Sequence, residues 1–186
     1  GDLAHAMRCL ERMTAVASAA LARHAGNTDL QSELGSAHFG RGQLLDTETL
    51  ASFDQPDAAM AAFAEAEAIY LRVLQAERAT ADDTITSLHQ LGTIAGARMI
   101  VRAKQGRAAE AVEHGLRAVG YRRDTVQRAP DHVGFRNALA TECNNLASCC
   151  LDLGDAPAAL EWTTLARDTA AALVRDDPGN RGAHEA

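Results

Sequence analysis

Hydrophobic positions along the chain recur at helical spacing rather than in the two-residue alternation of strands. The stripe Phe63, Ile69, Tyr70, Val73 and Leu74 reads as the buried face of one helix. Extended along the chain, the pattern predicts helices over about 2–25, 28–45, 57–79, 82–105, 107–128, 132–153 and 156–176. Gly26-Asn27 ends the first of them. Residues 46–56, with Asp46, Asp54 and Pro56, read as a longer connection. Ala129-Pro130-Asp131 and Asp177-Pro178-Gly179-Asn180 are stops, because proline cannot continue a helix and disfavours helix before it. Residues 181–186 read as a frayed tail.

Two short signatures repeat inside this pattern. The first is a polar residue, leucine, a tiny residue and a hydroxyl: Glu33-Leu34-Gly35-Ser36, Gln90-Leu91-Gly92-Thr93 and Asn145-Leu146-Ala147-Ser148. Its leucines lie 57 and 55 residues apart. The second follows a turn: Gly1-Asp2-Leu3-Ala4-His5-Ala6, Asp54-Gln55-Pro56-Asp57-Ala58-Ala59, Gly106-Arg107-Ala108-Ala109-Glu110-Ala111 and Gly154-Asp155-Ala156-Pro157-Ala158-Ala159. Its closing alanines are spaced by 53, 52 and 48 residues. Four residues after that alanine come Leu10, Phe63, Gly115 and Thr163, and seven after it Met13, Ala66, Ala118 and Ala166. Residues at +4 and +7 share one helical face. The tiny residue after leucine lets a first helix approach its partner, and the turn starts the second. One such hairpin cannot bury its apolar face alone, whereas stacked hairpins can. The expected fold is therefore all-α, an α-solenoid of about seven helices in antiparallel hairpins.

These marks together resemble the tetratricopeptide repeat (TPR). Asn145-Leu146-Ala147 and Gln90-Leu91-Gly92 look like variants of its first-helix signature. Ala59, Phe63 and Ala66 fit its second-helix alanine, aromatic and alanine; Thr163 and Gly115 replace the aromatic in two copies. The resemblance covers residues 1–180: a half repeat at 1–26, then repeats at about 27–80, 81–129 and 130–178. The spacings exceed the family's 34-residue period. Leu146 to Gly154 is a standard eight, but Leu91 to Gly106 is fifteen, about two extra helical turns. Long-helix arrays of this Ala-, Arg- and Asp-rich kind look like those fused to bacterial serine/threonine protein kinases. No kinase motif occurs here, so a kinase would lie outside this sequence.

Composition sharpens the picture. Alanine fills 40 of 186 positions and aromatics 4%, which favours helices over sandwiches, barrels and doubly wound sheets. A net charge of −7 argues against a nucleic-acid binder. No stretch approaches the ~20 apolar residues of a membrane span, and Asp2, His5 and Arg8 do not suit a signal peptide. The start at Gly1 reads as a fragment or a processed chain. Lys104 is the only lysine against 17 arginines, which reads as codon bias in a GC-rich bacterial genome. Cys9, Cys143, Cys149 and Cys150 lack metal-ligand or CxxC spacing and read as small buried hydrophobes in a reducing compartment. That favours a cytoplasmic location; a membrane span before Gly1 would make it extracytoplasmic.

Catalytic motifs are missing. Phe39-Gly40-Arg41-Gly42-Gln43 lacks the third glycine, the lysine and the preceding strand of a phosphate loop. Glu110 and His114 have no second Glu-x-x-His partner, and no serine sits in a nucleophile elbow. Trp162 reads as core packing or a stack end. We expect no enzyme, cofactor or metal. By analogy with TPR arrays, the expected function is a protein–protein interaction module that takes a peptide or partner along a concave groove of first helices. Its candidate residues are Ser32, Ser36 and Phe39; Thr86, His89 and Thr93; and Thr141, Asn144 and Ser148. Lacking a Lys/Arg pattern, this set predicts no clamp for a C-terminal carboxylate. Two alternatives stand beside it. One is a ligand sensor with a pocket at His38, His89 and Cys149. The other is self-association through an unpaired first helix exposing Leu3, Met7, Leu10 and Met13.

Overall fold

The computed structural model describes residues 2–46 and 52–176. Among them the chain forms seven α-helices and no strand: α1 (Leu3–Leu21), α2 (Thr28–Leu45), α3 (Pro56–Gln75), α4 (Ala81–Lys104), α5 (Ala108–Arg128), α6 (Val133–Asp152) and α7 (Ala156–Asp176). The expected stop at Asp177-Pro178-Gly179-Asn180, the tail at 181–186, Gly1 and residues 47–51 lie outside the described residues.

Local chemistry sets the helix starts. The Asp2 carboxylate accepts from the His5 amide at 3.1 Å, and Asn27 Oδ1 from the Leu30 amide at 2.9 Å. Thr80 and Asp83 form a reciprocal capping box at the head of α4. Pro56 opens α3, where its missing N–H costs nothing. Two of the ends are glycine turns. Gly106 (φ 69°) and Gly154 (φ 83°) take the left-handed conformation that side-chain-bearing residues resist. The next amide in each turn reaches back across the helix end, Arg107 to the Arg102 carbonyl and Asp155 to the Cys150 carbonyl. Both helices thus stop and reverse at the second-signature turn. α1 and α3 end about four residues earlier than expected. After α1 the chain turns through Arg23 and His24, and after α3 it goes extended at Ala76.

Each helix packs against the next as an antiparallel hairpin, and the backbone of α4 also approaches those of α2 and α6. The even-numbered helices thus form an inner layer. The recurring alanines sit where helices meet: Ala59, Ala66, Ala111, Ala118, Ala159 and Ala166 are all buried. Large side chains fill the stack by seating on glycines of the neighbouring helix. The Phe63 ring of α3 lies against Gly42 of α2, where a Cβ would fall 2.4 Å from the ring, and Tyr70 covers Gly35 likewise at 2.7 Å. Gly115 replaces an aromatic because Met99 and Leu146 occupy that space, each under 3 Å from where its Cβ would be.

The first helix is not unpaired. α1 packs on α2, with Leu10 against Gly40 and Met7 beside the cluster around Phe63. Leu3, Met7 and Leu10 are therefore part-buried rather than an open apolar face. Exposure is confined to Met13 (43%) and Val16 (63%), which border a shallow groove with Cys9 and Leu30. Cys9 is accordingly exposed, unlike the expectation for it, because among the described residues nothing covers that side of the first helix; the other three cysteines are buried.

The glycine seats predict opposite outcomes for two alanine substitutions. At Gly42 overpacking costs roughly 1–3 kcal/mol and outweighs the helix propensity gained. At Gly120, exposed in α5 with open space around it, the gain of about 0.5–1 kcal/mol stands alone. Urea midpoints should fall for Gly42→Ala and rise for Gly120→Ala; equal shifts would discount the seats.

Candidate functional site on the inner helical layer

The nine candidate residues are carried by the three inner helices, in different states. On α2, Ser36 donates to the Tyr70 hydroxyl at 2.9 Å, and that hydroxyl donates to the Ser32 carbonyl at 3.1 Å. Phe39 stacks obliquely on Phe63 with 5.6 Å between ring centres. On α4, Thr86 is exposed, whereas His89 and Thr93 are tied into a buried polar network. On α6, Thr141 and Ser148 are exposed and Asn144 is part-buried.

The network centres on Arg122 of α5. Its buried stripe, Ala111, Gly115, Ala118, Arg122 and Thr125, faces the inner layer at helical spacing. Arg122 Nη1 donates to the His89 carbonyl at 3.0 Å and lies 2.8 Å from His89 Nδ1. Since a guanidinium only donates, Nδ1 accepts and the imidazole is neutral with its proton on Nε2. Nη2 donates to Thr93 Oγ1 at 3.0 Å. Gly92 leaves room for the guanidinium, with its Cδ and Nε 3.1 Å from where a Cβ would stand. Phe135 of α6 backs the His89 ring at 5.0 Å. Glu142 of α6 is the counter-ion, with Oε2 3.7 Å from Arg122 Nε, an ion pair too long for a hydrogen bond.

Above this pair a cavity of ≈ 230 Å³ opens between α2, α4 and α6. Phe39 and Thr93 line it as candidates from sequence; Gln43, Gly96, Glu142 and Asn145 line it as well and were not anticipated. Asp46, which also lines it, is buried and ion-paired with Lys104, the chain's only lysine. Helical spacing does connect Gln43 to Phe39 and Ile100 to Thr93. Arg122 and Glu142 betray themselves only as charges in register with apolar stripes.

The electrostatics follow from burial. His89 is held down to about 4 by desolvation, then by Arg122 and His132. His114 of α5 is held down to about 4 by desolvation, then by Arg98, Arg117 and Arg102. Burial raises the Glu142 carboxyl, with Arg122 opposing. Burial likewise raises the Cys143 thiol to about 11, which keeps it an inert thiol.

Other sequence candidates do not converge. His38 pairs with Glu65 of α3 at 2.6 Å, and Cys149 borders a separate cavity with Ala103, Gly106 and Ala111, so no shared pocket joins them to His89. Trp162 packs on the core of the last hairpins under the Arg123 guanidinium, 5.4 Å from its ring centre. Among the described residues, no group of three or more His, Cys, Asp or Glu is placed to hold a metal ion.

No family model matches the chain and no curated protein matches it. A solved structure described as "DHF119 filament" aligns over 97% of this chain and 89% of its own, at 14% identity and a TM-score of 0.38.

The histidines give the fold a pH dependence of definite sign. Both resist protonation in the folded state, so the unfolded chain takes up protons first as pH falls below its ordinary 6.5. Stability therefore declines as pH drops through the window from 6.5 to about 4. Glu142, raised, acts in the opposite sense by favouring the fold below its own titration. The double variant His89→Gln/His114→Gln should lose less stability between neutral and mildly acid pH than the native chain. Urea midpoints at both ends test this, and an undiminished loss would contradict it.

Proposed function

We propose that the chain is a protein–protein interaction module that takes a peptide or partner protein along the inner face formed by α2, α4 and α6. One observation carries the reading: these helices line a common cavity with aromatic, amide and carboxylate groups. Exposed Ser36, Thr86, Thr141 and Ser148 lie on the same helices. A stack held together mainly through sequential neighbours leaves its inner face free for others. The finer reading, a TPR region of a larger bacterial signalling protein such as a serine/threonine kinase, rests on the repeated Leu and Ala signatures. A cytoplasmic setting rests on buried free thiols. No helix among the described residues is long and apolar enough to cross a membrane.

A photo-crosslinking residue at exposed Thr86 on α4 tests the face directly, against one at exposed Glu113 on α5. Partners should crosslink from the inner position and not the outer; the reverse would sink the reading. A fluorescent acidic peptide with a free C-terminal carboxylate should bind no better than its amidated form, because none of the nine candidate positions is a lysine or arginine.

Self-association is the second reading, favoured by the groove at Met13 and Val16 beside Cys9. Light scattering at two concentrations should show a rising mass if it holds, and a constant monomer mass rules it out.

A further inference from the structure

The head of α6 is capped by an imidazole rather than by a hydroxyl, carboxylate or amide. His132 Nδ1 accepts from the Phe135 amide at 3.3 Å, an amide shared with the His132 carbonyl at 3.0 Å. Gly134 makes room for the ring, since a Cβ there would stand 3.1 Å from its Cε1. The same ring lies flat on Phe135, with 3.8 Å between centres and 16° between planes. Phe135 in turn backs His89 of α4 at 5.0 Å. Three rings therefore run from the exposed head of α6 to the polar network around Arg122.

Both imidazoles are held through the lone pair that a proton would take. His132 Nδ1 accepts from an amide and His89 Nδ1 from a guanidinium, so each ring is neutral with its hydrogen on Nε2. An imidazolium donates from both nitrogens and accepts from neither. Protonated His132 would set two N–H groups against each other across 3.3 Å, and turning the ring over would present only carbon. It would also put a positive charge at the positive end of the α6 dipole. Attraction of that cation to the Phe135 face needs the ring to stay in its capping place, which the opposed N–H groups forbid. The order of events follows from exposure. His132 is exposed, whereas His89 is part-buried and held down to about 4 by desolvation, then by Arg122 and His132. Once His132 swings out, Phe135 loses its outer support, water reaches His89, and the largest obstacle to its protonation is gone. The charged groups along this path are Arg122 from α5 and its counter-ion Glu142 from α6, with Asp131 and Arg136 flanking His132 in sequence.

We propose that His132, Phe135 and His89 form a proton-operated latch between the head of α6 and α4, closed while both imidazoles are neutral and released from the His132 end as the pH falls. The sign is fixed by the bonds: the folded arrangement needs both rings unprotonated, so the latch holds at neutral pH and opens on the acid side. Its release loosens the first turn of α6 and takes from Arg122 its acceptor on His89. Arg122 and Glu142 both line the inner-face cavity, so protons taken up at the surface reshape that cavity.

NMR on the whole chain tests this at neutral and mildly acid pH, with the native protein beside His132→Asn. Asparagine is a good helix cap that does not titrate. In the native chain, hydrogen-exchange protection of the Phe135, Arg136 and Asn137 amides, corrected for the intrinsic rate, should fall about threefold to tenfold on acidification, the range expected for a lost cap. The amides of Ala166 and Ala170 in α7 should keep theirs. His132→Asn should hold its α6 protection at both pH values. In it His89, followed by its imidazole proton shifts, should also take up its proton at a lower pH than in the native chain. Unchanged protection in the native chain overturns the latch, as does an equal loss in His132→Asn or in α7. A loss confined to the native α6 head, with His89 titrating alike in both proteins, cuts the link to α4 and overturns it too. Should His132→Asn fail to fold, His132→Ser supplies a second cap that does not titrate, and the same outcomes decide.

Discussion

Helices in this chain can meet closely only where one of them carries almost no side chain. With aromatics at 4% and alanine the commonest residue, a wide core of interlocking large groups is not available. The fold instead alternates thin contacts with deep ones. Ala59, Ala111 and Ala159 mark the thin contacts. Phe63 on Gly42, Tyr70 on Gly35 and Leu146 against Gly115 are the deep ones. Every deep contact joins neighbouring helices of the stack, so each hairpin is held by the next. The inner layer is the geometric consequence, and the cavity is what remains where three inner helices diverge.

The same device positions the polar centre. Arg122 and Glu142 occupy stripe positions where an apolar side chain would be expected, and each leans on a glycine of α4, Gly92 or Gly96. A buried ion pair of this kind is weak support for stability, since desolvating two charges offsets most of their attraction. The pair here is also imperfect, with 3.7 Å between the nearest atoms and Oε1 unmatched. His89 belongs to the same arrangement: it stays neutral first because burial desolvates it, and then because Arg122 occupies the side on which it would accept a proton.

Much of the architecture was legible because it depends on spacing. Alanine at +0 and +7 and leucine before a tiny residue are short-range signals, and the helices they frame occur within a few residues of expectation. α1 and α3 ran short because the chain turns through Ala22, Arg23 and His24 and goes extended at Ala76, where no glycine or proline marks the stop. The site was only partly legible. Phe39 and Thr93 face the cavity, but Ser32 and Ser36 serve Tyr70, and His89 serves Arg122. Signature positions specify which helix is inner. They do not specify which of its residues is consumed by a partner helix, because that depends on contacts 29 to 38 residues away. Arg122 and Glu142 escaped notice for a related reason: a charge is ordinarily read as surface, and burial of one is visible only once its neighbours are placed.

The central claim is that stability passes from hairpin to hairpin through these seats. Native-state hydrogen exchange after Gly42→Ala tests it most directly, because only the α2–α3 seat is changed. Faster amide exchange confined to α1, α2 and α3, with α6 and α7 keeping their native protection, is the result the account predicts. An equal loss of protection in all seven helices would contradict it.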